Sequence, residues 1–230
     1  MMQTLLKKCF VTTLPVMAGY LFLGTGFGML LQSKGYGFLW AVAMSGFIYA
    51  GSMQYLAIDL LCGGASLITA AITTLMVNTR HLFYGISMID AYQDTGIYKP
   101  YLIFALTDET YSLNCGGAPE DVKNPKLYYF LVSLFNQCYW VTGSALGVLV
   151  GTLLPVSTEG IDFALTALFV TVFVEQWKST QDHIPALIGV VCSLVCVIAF
   201  GPGSFLIPAM ILITIALTLY RGKKEVMSHA

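Results

Sequence analysis

Charge is what this sequence has least of. Its 230 residues include 11 Lys and Arg and 12 Asp and Glu, so charged side chains make up 10% of the chain, against roughly 25% in a soluble domain. Beside 57% hydrophobic residues, that deficit excludes an ordinary soluble globular protein. A net charge of −1 with no basic patch or tail argues against nucleic acid as a partner. Cys9, Cys62, Cys115, Cys138, Cys192 and Cys196 form no Cys-x-x-Cys pair. Most lie in apolar runs, as small fillers rather than a disulfide or metal framework. No phosphate loop (Gly, four residues, then Gly-Lys-Ser or Gly-Lys-Thr) occurs, which argues against ATP hydrolysis by this chain. Nothing implies a cofactor or a resident metal. The alternation of outer-membrane barrel strands is also missing. Lys7 and Lys8 before an apolar stretch imitate a secretory signal, but no convincing small-x-small cleavage site follows and the rest of the chain is equally hydrophobic. The first segment therefore reads as a retained membrane helix.

What is present is a series of long uncharged windows, at 9–33, 35–58, 60–79, 127–158 and 184–220. A hydrocarbon core about 30 Å thick needs roughly 20 helical residues, and only helices satisfy the backbone within such a span. The expected fold is an all-α integral membrane protein, a single polytopic helical bundle of seven or eight spans over residues 1–230. Spans are expected near 14–31, 38–60, 65–89, 127–154, 161–177, 184–200 and 204–220, with turns at Lys34 to Gly37, Cys62 to Gly64, Pro155 to Gly160 and Gly201 to Gly203. The segment 100–115 is short and interrupted by Asp108 and Glu109, which suits a half-helix or re-entrant element lining a cavity. Glycine-rich stretches at Gly24 to Gly28 and Gly201 to Gly203 fall in opposite halves. Such pairs can mark discontinuous helices in a weak inverted repeat; helix packing for the first and a simple turn for the second is the preferred reading.

Lys and Arg concentrate in cytoplasmic loops. Eight crossings with a cytoplasmic N-terminus and seven with an external one score alike, so the side of the N-terminus stays open. Both place the tail Arg221 to Lys224 in the cytoplasm.

An ionised group at the bilayer centre costs roughly 2.5–3.5 kcal/mol on insertion scales, so intramembrane charges usually face a cavity or a partner. At 100° per residue, Asn78, His81, Thr74 and Gly85 share one narrow arc, and Thr73, Arg80, Tyr84 and Ser87 the next; Leu75, Leu82, Ile86, Ile72 and Phe83 take the lipid-type half. Arg80 and His81 accordingly line a cavity or, alternatively, snorkel to the headgroups. Ser45, Ser52 and Asp59 form a stripe on the second span, with Gly51 and Gln54 beside it. Small residues there admit a close neighbour, and the Gln54 amide needs partners, in the structure or in a substrate. Asp59 reads as interfacial. Asp108 and Glu109 are open to three roles: carrying a proton, pairing with Arg80 or receiving an ammonium. A solvated loop is the plain alternative, and the same plain reading is preferred for Glu175, Lys178, Asp182 and His183. A guanidinium, a carboxylate and apolar walls are the minimum chemistry for an apolar zwitterion.

Val77-Asn78-Thr79-Arg80-His81-Leu82-Phe83-Tyr84-Gly85 and Leu106-Thr107-Asp108-Glu109-Thr110, with Phe22 to Gly28 and Gly51-Ser52-Met53-Gln54 earlier in the same order, resemble the AzlC family of branched-chain amino-acid permeases, from about Leu14 to Tyr220. The resemblance implies a bacterial inner-membrane exporter of branched-chain or other apolar amino acids and a small hydrophobic companion of the AzlD type. It marks Gly51, Gln54, Asn78, Arg80, His81, Asp108 and Glu109 as motif positions and substrate-binding candidates, with no catalytic residue. Two other classes remain. An intramembrane hydrolase would need paired acids or a Ser/His combination, although no Gly-x-Ser-x-Gly elbow occurs. A passive channel or a non-transporting subunit would share this composition.

Overall fold

Two long helices organise the first part of the chain. In the computed structural model α1 runs Met2–Ser33 and α9 Pro125–Leu153, about 48 and 44 Å at 1.5 Å per residue. Described here are residues 2–153, 180–201 and 205–228, with 166, 170, 173, 174, 177 and 178. Most of the expected span 161–177, the expected turn 155–160, and residues 175, 202 and 203 lie outside them. The chain divides into two compact units, Met1–Ala167 and Leu168–Ala230, each taken by itself.

In the first unit α1 and α9 pack in parallel. Phe10 meets Phe135 edge to face, Thr13 Oγ1 is 3.1 Å from Tyr139 Oη, Tyr20 lies against Trp140, and the seam continues to Gly151 beside Gln32. Small residues let the backbones touch: a Cβ on Gly24 would sit 3.0 Å from Trp140 O, and one on Gly143 2.8 Å from Tyr20 O. The expected helix packing at Gly24 to Gly28 is what the structure has, and α1 continues through Pro15 without a break. At the near end Lys8 pairs with Asp121. The hydrogen bond from Lys8 holds the exposed Asp121 carboxyl below its usual range, so the contact is present above the ordinary aspartate pKa and is lost on acidification.

Between these helices the chain is broken where continuous spans are expected. The expected span 38–60 is two helices, α2 (Phe38–Phe47) and α3 (Gly51–Cys62). They are separated at Tyr49, whose φ of 45° is left-handed, a conformation that costs a non-glycine residue roughly 1–2 kcal/mol. The expected span 65–89 divides at Asn78 into α4 (Leu67–Val77) and α5 (Thr79–Ser87), and α6 (Ile89–Tyr92) follows. The expected half-helix element at 100–115 is α7 (Lys99–Phe104) and α8 (Asp108–Asn114). Thr107 caps α8 by accepting from Thr110 N at 3.3 Å, and Asp108 and Glu109 in its first turn complement the helix dipole. Turns occur at Gly35 and Gly64, both with positive φ, where glycine alone is unstrained.

Beside a hydrophobic core, buried polar groups and a broad exposed apolar surface set this unit apart from a soluble domain. Thr13, Ser45, Gln54, Thr110, Asn114, Ser133, Asn136 and Ser144 are buried, while Leu67, Leu75, Phe47 and Ile97 are largely exposed. The expected lipid half of the third span, Ile72, Leu75, Leu82, Phe83 and Ile86, is exposed throughout. By length and composition alone α1 is the one described helix fit to cross a bilayer; no strand occurs among the described residues.

In the second unit α10 (Ile184–Phe200) and α11 (Leu206–Ser228) pack on each other. Asp182 is not simply solvated: it accepts from Tyr220 Oη at 2.9 Å and from Ile184 N at 3.2 Å, and His183 stacks on Trp177. Lys178 is exposed, and all six cysteines are free thiols.

Candidate functional site

The helix breaks converge beside the middle of α1 and α9, at Tyr20 and Trp140. From α5, Arg80 Nη1 reaches Asp108 Oδ2 on α8 at 2.5 Å, and Nη2 donates to Ser52 Oγ in the first turn of α3 at 2.8 Å. His81 Nε2 is 3.7 Å from Asp108 Oδ1, an ion-pair distance but too long for a hydrogen bond. Arg80 therefore ties three elements together. Its side chain keeps 34% exposure and that of Asp108 26%, so the pair sits in an open cleft, with Tyr84 stacked on Tyr111 at 4.6 Å alongside.

Several valences here stay open. Arg80 Nε, Asp108 Oδ1 and Asn78 Oδ1 are buried with no hydrogen-bond partner among the described residues. Each such atom is costly to leave buried unless something completes it. Asn78 occupies the joint between α4 and α5. A cavity of about 120 Å³ adjoins His81, lined mainly by apolar groups including Met88, Ile103 and Leu106.

Glu109, next in sequence to Asp108, points elsewhere: its Oε2 accepts from Tyr20 Oη at 2.6 Å. A step of 100° around a helix separates the two carboxyls. Gln54 is fully buried. Its Oε1 accepts from Trp140 Nε1 at 2.8 Å and its Nε2 donates to Ser45 Oγ at 3.1 Å, while Ser45 donates to Ser144 at 2.7 Å. Gly51 lies over the Trp140 ring, 3.1 Å from its would-be Cβ to Cη2. Arg80, His81 and Asp108 thus form one cluster, with Asn78 at the joint just before α5; Gln54 and Gly51 belong to the Trp140 wall. Asp59 is exposed near the far end of α3. Sequence reasoning did not single out Tyr20, Tyr49, Asn136 or Trp140. Asn136-Gln137 inside an uncharged window was the available signal, since amides there need partners.

The family model described as AzlC protein matches residues 15–154. The chain belongs to the AzlC family. The match runs from α1 to the end of α9 and so takes in every residue of this cluster. This AzlC chain is 43% identical over 220 residues to the branched-chain amino acid transport protein AzlC of Bacillus subtilis, covering 95% of this chain and 86% of that protein. It is 42% identical over 219 residues to a membrane protein of Helicobacter pylori strain 26695, covering 95% and 96%. Identity is 28% over 181 residues to the inner membrane protein YgaZ of Escherichia coli, covering 74% and 72%. No solved structure matches. Family, relatives and the exposed apolar surface agree on a helical membrane protein of a transport family.

Proposed function

We propose that this chain is a secondary transporter that exports branched-chain and other apolar amino acids across the bacterial inner membrane, together with a small AzlD-type membrane subunit. The observation that carries the reading is the complementarity of the open valences at Arg80. An amino acid brings a carboxylate that accepts and an ammonium that donates; Arg80 Nε is an unmet donor, Asp108 Oδ1 and Asn78 Oδ1 unmet acceptors. The substrate carboxylate takes the guanidinium fork, the ammonium takes Asp108 and Asn78, and the apolar cavity beside His81 suits an aliphatic side chain. Gln54 and Gly51 hold the Trp140 wall in place. The printed name of the Bacillus subtilis relative supports the same substrate class. A hydrolase would need two carboxyls facing one bond, whereas Asp108 faces Arg80 and Glu109 faces Tyr20.

For topology we favour eight crossings with both termini cytoplasmic. Parallel packing of α1 and α9 supports this, because the chain between parallel spans must cross an odd number of times. The three broken segments 38–62, 67–92 and 99–114 supply three crossings, so α7 and α8 together traverse the membrane and the N-terminus shares the cytoplasmic side with residues 115–124. Cysteines replacing Lys8 and Asp121 are expected to be labelled by membrane-impermeant reagents only from the cytoplasmic face. Labelling of the two positions from opposite faces would reject the arrangement.

Function is tested by efflux of labelled leucine, valine, isoleucine and methionine from vesicles holding this chain with and without its companion. Saturable efflux with both is expected. Non-saturable flux would indicate a channel, and no flux from folded protein would remove the amino-acid assignment.

A further inference from the structure

Behind the Arg80 cluster α8 carries a second, chemically different set of groups. Glu109 has no cationic partner among the described residues. Neutral oxygens gather round it instead. Tyr20 Oη lies 2.6 Å from Glu109 Oε2 and 2.8 Å from Thr107 Oγ1, and Thr107 Oγ1 lies 3.1 Å from Thr110 Oγ1. Asn136, from α9, donates Nδ2 to Thr110 Oγ1 at 3.1 Å. Tyr49, at the strained break between α2 and α3, faces Glu109, Thr110 and Tyr20 with its hydroxyl. Thr110 and Asn136 are fully buried and Tyr49 is 3% exposed. Yet Asn136 Oδ1 has no hydrogen-bond partner among the described residues. An orphaned oxygen in this network is costly in a closed core.

We propose that Glu109, Thr107, Thr110, Asn136 and Tyr49 form an oxygen-lined site for one monovalent cation of sodium's size, distinct from the amino-acid site at Arg80. A small hard cation takes carboxylate, hydroxyl and carbonyl oxygens, which is the set gathered here. One carboxylate among neutral ligands balances a single positive charge, and the adjacent Asp108 is already committed to Arg80. The site sits at an interruption between two short helices, where membrane transporters commonly hold their coupling ions. A proton on Glu109 would give one donor to one acceptor; a cation engages several oxygens together. Asp108 and Glu109 are neighbours on one short helix, so filling this site fixes the helix end that presents Asp108 to the substrate. Only that coupling role rests on the transporter reading; cation binding does not.

The test is equilibrium binding of radioactive sodium to the purified full chain in detergent, with choline as the ionic-strength control. Wild type is expected to bind sodium saturably and to unfold at a higher temperature in sodium than in choline, as a ligand of the native state requires. Glu109→Gln and Thr110→Val are expected to bind at least about tenfold more weakly, the size of one lost charge-assisted contact. Thr110→Ser, which keeps the oxygen, is expected to bind within about threefold of wild type. Size-exclusion profiles and unfolding in choline show whether each variant is folded. Absence of saturable binding and of any sodium-dependent thermal shift in folded wild type would overturn the site, as would equal binding by wild type and Glu109→Gln. Sodium binding without amino-acid efflux would leave the site standing and remove the transporter reading. Efflux driven by a pH gradient, with no sodium binding, would do the reverse.

Discussion

Replacing Arg80 by lysine is expected to lower amino-acid efflux on the order of a hundredfold while the protein still folds and inserts. The guanidinium reaches Asp108 and Ser52 through separate nitrogens and keeps Nε for a further acceptor. An ammonium is a point charge that can hold Asp108 but cannot span the fork. Loss of one or two charge-assisted hydrogen bonds to the substrate carboxylate, at about 1.5–3 kcal/mol each, accounts for an effect of this size. Lysine is the informative substitution because alanine would leave Asp108 unpaired in a partly buried cleft and confuse misfolding with lost recognition. Efflux from vesicles, normalised to inserted protein, gives the answer. A lysine variant within about tenfold of wild type would place the substrate carboxylate somewhere other than Arg80.

The contrast between Asp108 and Glu109 shows how far the sequence could be read. Adjacent positions on a helix lie about 100° apart, so two neighbouring carboxyls cannot share one direction. Where each one points was not readable, because Arg80, Ser52 and Tyr20 arrive from elements 28 to 89 residues away. Long uncharged windows translated well: the expected 127–154 is Pro125–Leu153 and the expected 184–200 is Ile184–Phe200. Breaks translated poorly. No proline precedes Tyr49 in α2, and a non-glycine residue with positive φ is held there by tertiary burial, which local propensity does not encode. Asn78 was assigned a face on one continuous helix, yet it is the joint between two. The Gln54 amide was recognised as needing partners; that Trp140 would supply one depended on the seam between α1 and α9.

That seam gives the largest expected loss of stability, from Gly28→Ala. A Cβ on Gly28 would collide with the backbone oxygen of Ser144 and lie 2.8 Å from Val148 N and 2.9 Å from Gly147 Cα. Backbone atoms cannot rotate aside, so the two helices must separate along their length. In a bilayer no hydrophobic force draws them back, because lipid replaces the lost contacts, and close dispersion packing is what holds them. A cost of about 3 kcal/mol is the upper range for overpacking, and the opening propagates to Tyr20, about 12 Å along α1, loosening its contacts with Trp140 and Glu109. Gly19→Ala is the matched control. Nothing lies within 4 Å of its Cβ, and alanine is the better helix former by about 1 kcal/mol. Thermal unfolding in detergent is expected to show a markedly lower midpoint for Gly28→Ala and an unchanged or higher one for Gly19→Ala. Equal midpoints for Gly28→Ala and wild type would mean that α1 and α9 do not meet at this seam. The parallel arrangement, the odd number of crossings between them and the cytoplasmic N-terminus would then fall together.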